Sequence, residues 1–389
     1  MINLGQTEFN VLSQLGIRLG NWISEMPSTY MPIAPHLEES SDDDIKVVIG
    51  VSIAGSAVGT LTINTTIKAL GQAAIDPVVF EDLQNTAKQK IKDLLSKVYY
   101  EYHYEEIFRH NFEDKNQLLL EATTRECRFC RRKQPEVSFR KRAHAVPEAV
   151  GNKTLRTRYE CDVCNDFFGR TVEDDFGRWS NLQRTLFRVE RNGGIPKFKT
   201  KSGSIEVTDE SVTEIKVGKN VRASINPDTG NVNVQVDLPT FIPLAVLKAI
   251  YKMALTVMPE SEVVDFRNII DWVRNPNLSA VAPFRLNSSI LMTYSGGLEH
   301  GYVVLFKRQT PDKSLPYMTF VLSFGDICYQ AILPPGREKQ EKNMIITPFY
   351  QLRDKEQLVS AEHSIVGLAS CKKNDLQTSI ITHCVMTIS

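Results

Sequence analysis

Cysteine is scarce in this chain. Seven occur among 389 residues, four of them in two tight pairs, which does not match the disulfide framework of a small secreted protein. No secretory leader is visible: the opening MINLGQTEFN lacks a basic segment followed by an apolar one. A reducing, cytoplasmic setting is therefore expected. Net charge is also missing, with 46 Lys and Arg against 46 Asp and Glu, so the chain as a whole is neither polycation nor polyanion. There is no internal repeat, low-complexity segment, phosphate-binding glycine loop or serine-nucleophile elbow, which sets aside solenoids, P-loop enzymes and α/β-hydrolase chemistry. Only one long uncharged run stands out, Val47 to Ile67. Gly50, Gly55, Gly59 and Asn64 interrupt it, and Val47, Ile49, Val51, Ile53 and then Leu61, Ile63, Thr65, Ile67 alternate. That period predicts a β-hairpin; a membrane or pore segment is the weaker alternative.

What is present is an ordinary globular composition, 42% apolar and 24% charged, long enough for two or three domains. The charge is uneven along the chain. Residues 1–120 carry 9 Lys and Arg against 16 Asp and Glu, residues 121–200 carry 18 against 11, and the remainder carries 19 of each. A basic middle suits an anionic partner such as nucleic acid, although a solvated basic surface has the same composition.

Three segments are expected: 1–120, 121–195 and 196–389. In the first, residues 1–36 read as a helix and a loop, Glu38 to Asp44 as an acidic loop, and 77–112 as one or two helices with a stripe of Val78, Leu83, Ile91, Leu94, Leu95 and Val98. Tyr99, Tyr100, Tyr102, His103 and Tyr104 crowd one stretch, where core packing is commoner than base stacking. The last segment starts with strand-like runs, followed by the apolar helix Pro243 to Met258, a second helix near 263–275, and strands near 288–309, 316–334 and 378–389. Cys328, Cys371 and Cys384 read as packing thiols.

The middle carries the chemistry. Cys127-x-x-Cys130 and Cys161-x-x-Cys164 have the spacing of two zinc knuckles, and four thiolates close a tetrahedral sphere with no position left for water. The zinc is then structural. Between the pairs lies RKRAHAVPEAVGN, with His144 on an expected hairpin. After Cys164 comes an amphipathic run whose stripe is Phe168, Val172, Phe176, Trp179, Leu182 and Leu186. Asn165, Gly169 and Glu173 fall at i, i+4 and i+8 beside that stripe, and the glycine leaves room above them.

These residues resemble the HNH nucleases of the ββα-metal superfamily, in the zinc-stabilised branch. The match rests on Ala143, His144, Pro147, Glu148, Gly151, Asn152, Glu160, Cys161, Cys164, Asn165 and Gly169, within about 125–185. The resemblance implies a central zinc-stapled ββα-metal module; the element patterns on either side add an N-terminal α/β domain and a C-terminal α+β domain, so the chain is expected to be α+β. It implies an endonuclease that hydrolyses phosphodiester bonds with His144 as general base. Asn165 takes the place of the last metal ligand, for Mg²⁺ or Mn²⁺. Many members carry an acidic ligand just before the histidine, where this chain has Ala143. Glu173 is the first replacement by helical phase, with Glu148 and Asp174 behind it. The family's asparagine that steadies the base has no clear counterpart just before Cys161, in TLRTRYE, and Asn152 is the candidate for that role. Arg131, Arg140, Lys141, Arg142 and Lys153 are the expected phosphate contacts, alongside Arg128, Arg132, Lys133, Arg156 and Arg158 in the same basic cluster. The expected partner is duplex DNA with weak sequence specificity, and a regulatory partner or a second copy of the chain stays open. A bacterial, antiviral defence-type effector would suit this build. The competing reading is a non-catalytic zinc ribbon that binds nucleic acid or protein.

Overall fold

The computed structural model describes residues 2–4, 45–54, 59–69, 99–119, 125–191, 193–201, 203–207, 213–217, 223–225, 231–278, 289–294, 301–335, 346–349, 362–373 and 377–383. The fold is α+β. The chain forms two compact units: 1–104 with 347–361, and 105–346 with 362–389.

In the first unit, β1 (Ile2–Leu4), β2 (Ile45–Ala54) and β3 (Gly59–Ala69) form a sheet in the order β1-β3-β2. Antiparallel β2 and β3 are the expected hairpin. Residues 2–4 are a strand where a helix was expected; most of that helix, the acidic loop and the apolar stripe of 78–98 lie outside the described residues. No helix of the described residues is long and apolar enough to cross a membrane. The tyrosine cluster packs on itself: Tyr100 and Tyr104 are buried and stacked, and the Tyr100 hydroxyl donates to the Thr347 carbonyl.

The second unit begins with a departure from expectation. Helix ends at residue 103, and β4 (Tyr104–Asn111) is a strand. Its aromatic and β-branched residues suit an edge strand, and pairing distant in sequence overrides the local helical period. β4 closes a six-stranded sheet formed with β13 (Ser289–Tyr294), β14 (Tyr302–Arg308), β15 (Met318–Phe324), β16 (Ile327–Leu333) and β17 (Glu362–Gly367), in the order β17-β13-β16-β15-β14-β4. Every residue of β15 and β16 is buried, as expected for central strands covered on both faces. The last strand, β18 (Gln377–His383), does not join this sheet. It pairs with β12 (Asn231–Asp237), which also holds β11 (Ala223–Ile225). A third small sheet joins β8 (Phe198–Lys199), β9 (Gly203–Val207) and β10 (Thr213–Val217).

Between these lies the cysteine-rich segment. β5 (Gln117–Leu119), β6 (Ala143–His144) and β7 (Leu155–Thr157) form a sheet in the order β5-β7-β6, followed by α1 (Asp162–Arg170), α2 (Val172–Trp179) and α3 (Asn181–Leu186). Of the expected stripe, Phe168, Val172, Phe176, Trp179 and Leu182 are buried, and Leu186 is half-buried. The run is three short helices, however, because Thr171 leaves helical geometry at φ −120°, ψ −97°.

α4 (Pro243–Val257) is buried on every side, packing on α2 and on β16. α5 (Glu260–Val263) and α6 (Arg267–Arg274) follow, split by a 3₁₀ turn where one helix was expected. The C-terminal carbonyls of α4 have no helical partner, and Arg128 of the first knuckle takes them up. Its Nη1 donates to the carbonyls of Leu255, Thr256 and Met258 at 2.8, 2.9 and 2.9 Å, and its Nη2 to Glu260 at 2.9 Å. The guanidinium stacks 3.8 Å over the Tyr159 ring. Arg128 is therefore an internal cap and not a phosphate contact. Cys328 is buried as expected, Cys371 is exposed contrary to expectation, and Cys384 lies outside the described residues.

Arg128→Met should lower stability by about 3–5 kcal/mol, since it strands three carbonyls of buried residues at about 1–3 kcal/mol each. The exposed Arg131, paired with Asp271 at 2.9 Å, should cost less than about 1 kcal/mol on the same change. Denaturant titration of both variants checks the contrast.

Candidate active site

The four cysteines converge. The sulfurs of Cys127, Cys130, Cys161 and Cys164 lie within 4.8 Å of one another, and the Cys130–Cys161 pair is 3.7 Å apart. A tetrahedron with metal–sulfur bonds of about 2.3 Å has edges of about 3.8 Å, so this donor set fits zinc. The two knuckles differ in construction. In the first, the Arg131 amide returns to the Cys127 carbonyl at 2.7 Å and Cys127 donates to the Arg132 carbonyl at 2.9 Å, with Arg131 in the left-handed region at φ 59°. In the second, Cys161 is the N-cap of α1 and Cys164 lies in its first turn, where the helix end favours thiolate. Asp162, inside the second, grips the segment that leads into β6: it accepts from the Ser138 hydroxyl at 2.6 Å and from the Arg140 and Lys141 amides at 3.1 and 2.9 Å.

That clamp feeds directly into β6. His144 pairs in register with Arg156 on β7. The turn between the strands is closed by Gly151, at φ 93°, and by Asn152. Asn152 is fully buried, donates to the Val146 and Leu155 carbonyls at 2.7 and 2.9 Å, and accepts from the Leu155 amide at 2.8 Å. Its polar groups are thus committed to the backbone two residues beyond His144, which is a positioning arrangement.

The His144 ring is half-buried, and its Nε2 is enclosed without a hydrogen-bond partner among the described residues. The Glu148 carboxylate stands 3.9 Å from it. Burial, and next the Arg156 charge, hold the imidazole below its usual 6.5, against the opposing pull of Glu148 and Glu173. That lowering favours the neutral ring.

Asn165 lies inside α1. It is not the N-cap, since Cys161 holds that place, and its side-chain amide has no hydrogen bond among the described residues. A methyl group added at Gly169 would meet nothing within 4 Å, so the space above that face is open. The break at Thr171 means that Asn165 and Glu173 do not share one regular helix, and the i, i+8 phase between them does not apply. Glu173 turns inward: its Oε1 accepts from Lys252 Nζ at 2.8 Å. Asp174 pairs with Arg178 at 2.7 Å.

Lys252 is the residue that sequence reasoning missed. It rises from α4, is 1% exposed, and also lies 2.9 Å from Glu160, which precedes Cys161. Burial disfavours its charge, but the two carboxylates outweigh burial and keep it protonated. Burial raises the Glu160 carboxyl, with Lys252 opposing. A signal existed. Two lysines four apart, Lys248 and Lys252, interrupt a helix too apolar to be exposed, and buried lysines require partners. Lys248 donates to the Asn275 carbonyl at 2.9 Å.

Of the expected phosphate contacts, Arg131 pairs with Asp271 at 2.9 Å, Lys141 with Asp166 at 2.5 Å and Lys153 with Glu190 at 3.9 Å, all exposed. Arg140 and Arg142 are exposed, with no side-chain partner among the described residues.

Residues 127–181 match the family model described as HNH endonuclease. The matched stretch holds both knuckles, the hairpin, α1 and α2, which places a nuclease-type module in the middle of the chain. No curated protein and no solved structure matches the chain.

Protein purified without chelator should hold one zinc per chain by elemental analysis. Cys161→Ser should lose it and unfold the 125–191 segment, because site formation and folding are coupled. Full helicity and no zinc in the unmutated protein would exclude the metal.

Proposed function

We propose that this protein is a metal-dependent endonuclease acting on duplex DNA, with His144 as general base. The observation that carries the reading is the enclosed, unpartnered His144 Nε2, presented by a hairpin that is anchored to the cysteine cluster and lies within the HNH-matched segment. A neutral imidazole with a vacant acceptor nitrogen can take a proton from water as the water attacks phosphorus in line. Asn152 steadies the strand behind the ring.

A hard divalent ion would be held by oxygen donors. The Asn165 amide oxygen and one carboxylate suit Mg²⁺ or Mn²⁺, with substrate phosphate and water completing the shell. Glu148, beside the base, supports this role better than Glu173, whose Oε1 is engaged by Lys252. When bound, such an ion stabilises charge on the phosphoryl oxygens and the leaving 3′ oxygen. Arg131, Arg140, Lys141, Arg142 and Lys153 would neutralise backbone phosphates without reading bases, giving weak sequence preference. The cytoplasm and a defence role are consistent with this activity.

A second reading, a non-catalytic zinc module, is favoured by two observations: Ala143 stands where a usual acidic ligand would be, and Lys252 occupies Glu173. Plasmid cleavage with Mg²⁺ or Mn²⁺ separates the two. His144→Ala should reduce the rate by about 10²–10⁴-fold at unchanged zinc content. The rate of the unmutated protein should rise with pH through a value below 6.5 and then level off, because the neutral form is the base. Removing the Glu148 charge (Glu148→Gln) should lower that value. Unaltered cleavage in His144→Ala removes the mechanism.

A further inference from the structure

The family match begins at Cys127, yet the sheet that carries His144 extends beyond it. β5, residues 117–119, pairs in parallel with β7 on the side away from β6. The register sets His144, Arg156 and Leu118 in one row across three strands. Residues in register project from the same face of a sheet, and residues two apart share it as well. Leu118 and Arg156 of that row line one cavity, and Arg142 and Thr154, each one residue before its strand, line it as well.

A cavity of about 220 Å³ opens there, lined by Asn116, Gln117, Arg142, Thr154 and Arg156. Its two cations are uncompensated. Neither arginine has an ion pair or a side-chain hydrogen bond among the described residues, and the Arg156 Nε is buried without a partner. Among the described residues, no acidic residue lines the cavity. An enclosed guanidinium donor without an acceptor is costly to fold, which points to an acceptor that arrives from outside. The amide and hydroxyl in the lining are held in place. Buried His110 sits between them, with Nδ1 3.0 Å from Gln117 Oε1 and Nε2 2.8 Å from Thr154 Oγ1.

We propose that this cavity is a phosphate subsite for the DNA backbone next to the bond that His144 attacks, with Arg156 and Arg142 as its cations and β5 as its outer wall. A planar guanidinium fork matches two phosphate oxygens, and the Asn116 and Gln117 amides beside it are neutral donors that discriminate nothing in the base sequence. The identity of the ligand rests on the nuclease reading. The subsite fixes the register of the strand so that one particular phosphodiester faces the imidazole.

The test is the salt dependence of binding. Full-length protein carrying His144→Ala is titrated with a fluorescein-labelled 16-base-pair duplex, without added divalent ion, over a range of NaCl concentrations. Each phosphate neutralised contributes about 0.9 to the slope of log K against log salt. Arg156→Gln and Arg142→Gln on that background should each lower the slope by about 0.5–1 and weaken binding alike for unrelated sequences. Arg156→Lys should restore most of the slope. Lys313→Gln, an exposed lysine on a loop remote from this sheet in sequence, should leave it unchanged. Arg142 is exposed, so its variant keeps the test valid if Arg156→Gln fails to fold. Absence of DNA binding, or slopes in both variants equal to the parent's, overturns the subsite. Loss of slope in both variants, in a protein that does not cleave with Mg²⁺ or Mn²⁺, keeps the subsite and removes the nuclease reading. Cleavage with unchanged slopes does the reverse.

Discussion

Four sulfurs within 4.8 Å of one another set the geometry of the middle of this chain. One pair closes a turn and the other starts α1, so a metal there locks the helix origin against the approach to β6. Asp162, next to Cys161, carries the constraint onward by gripping the backbone at Arg140 and Lys141. Three residues later the chain reaches His144. The orientation of that imidazole is thus inherited, through short covalent and hydrogen-bonded links, from a metal-type cluster that does no chemistry itself.

The module is not self-sufficient. Its second support comes from α4, whose buried Lys252 joins Glu160 and Glu173 and whose C-terminal carbonyls are capped by Arg128. Both contacts are charged and enclosed, and removing either partner from such a pair leaves the other costly. Residues beside Cys127 and Cys161 are therefore coupled to the core of the C-terminal sheet through Tyr251, which bonds the Ile332 carbonyl at 2.7 Å. A change in how α4 sits would reach Glu173 and the field around His144.

Much of this was legible beforehand, and the rest was hidden for physical reasons. Cysteine spacing foretold the cluster because two-residue turns leave thiolates little freedom. The stripe from Phe168 to Leu182 foretold one buried face because helical period survives short breaks. The break at Thr171 follows Gly169 by two residues, but a lone glycine in a helical pattern does not announce a stop, so the inferred alignment of Asn165 with Glu173 was lost. β4 was misjudged because its partner, β14, lies far along the chain, and strand formation is decided by such partners. Arg128 looked like part of a basic surface because charge counts do not distinguish an exposed guanidinium from one that caps a helix. Lys252 could have been suspected, but its carboxylate partners lie 79 residues away and more, beyond any local pattern.

If His144 is the general base proposed above, water that it deprotonates attacks phosphorus and the 3′ oxygen leaves. Cleavage of duplex DNA in oxygen-18 water with Mn²⁺, followed by mass spectrometry of the new ends, tests it directly. The account predicts 3′-hydroxyl ends and 5′-phosphate ends that carry the heavy oxygen. Intact DNA, or label found in 3′-phosphate ends, would contradict it.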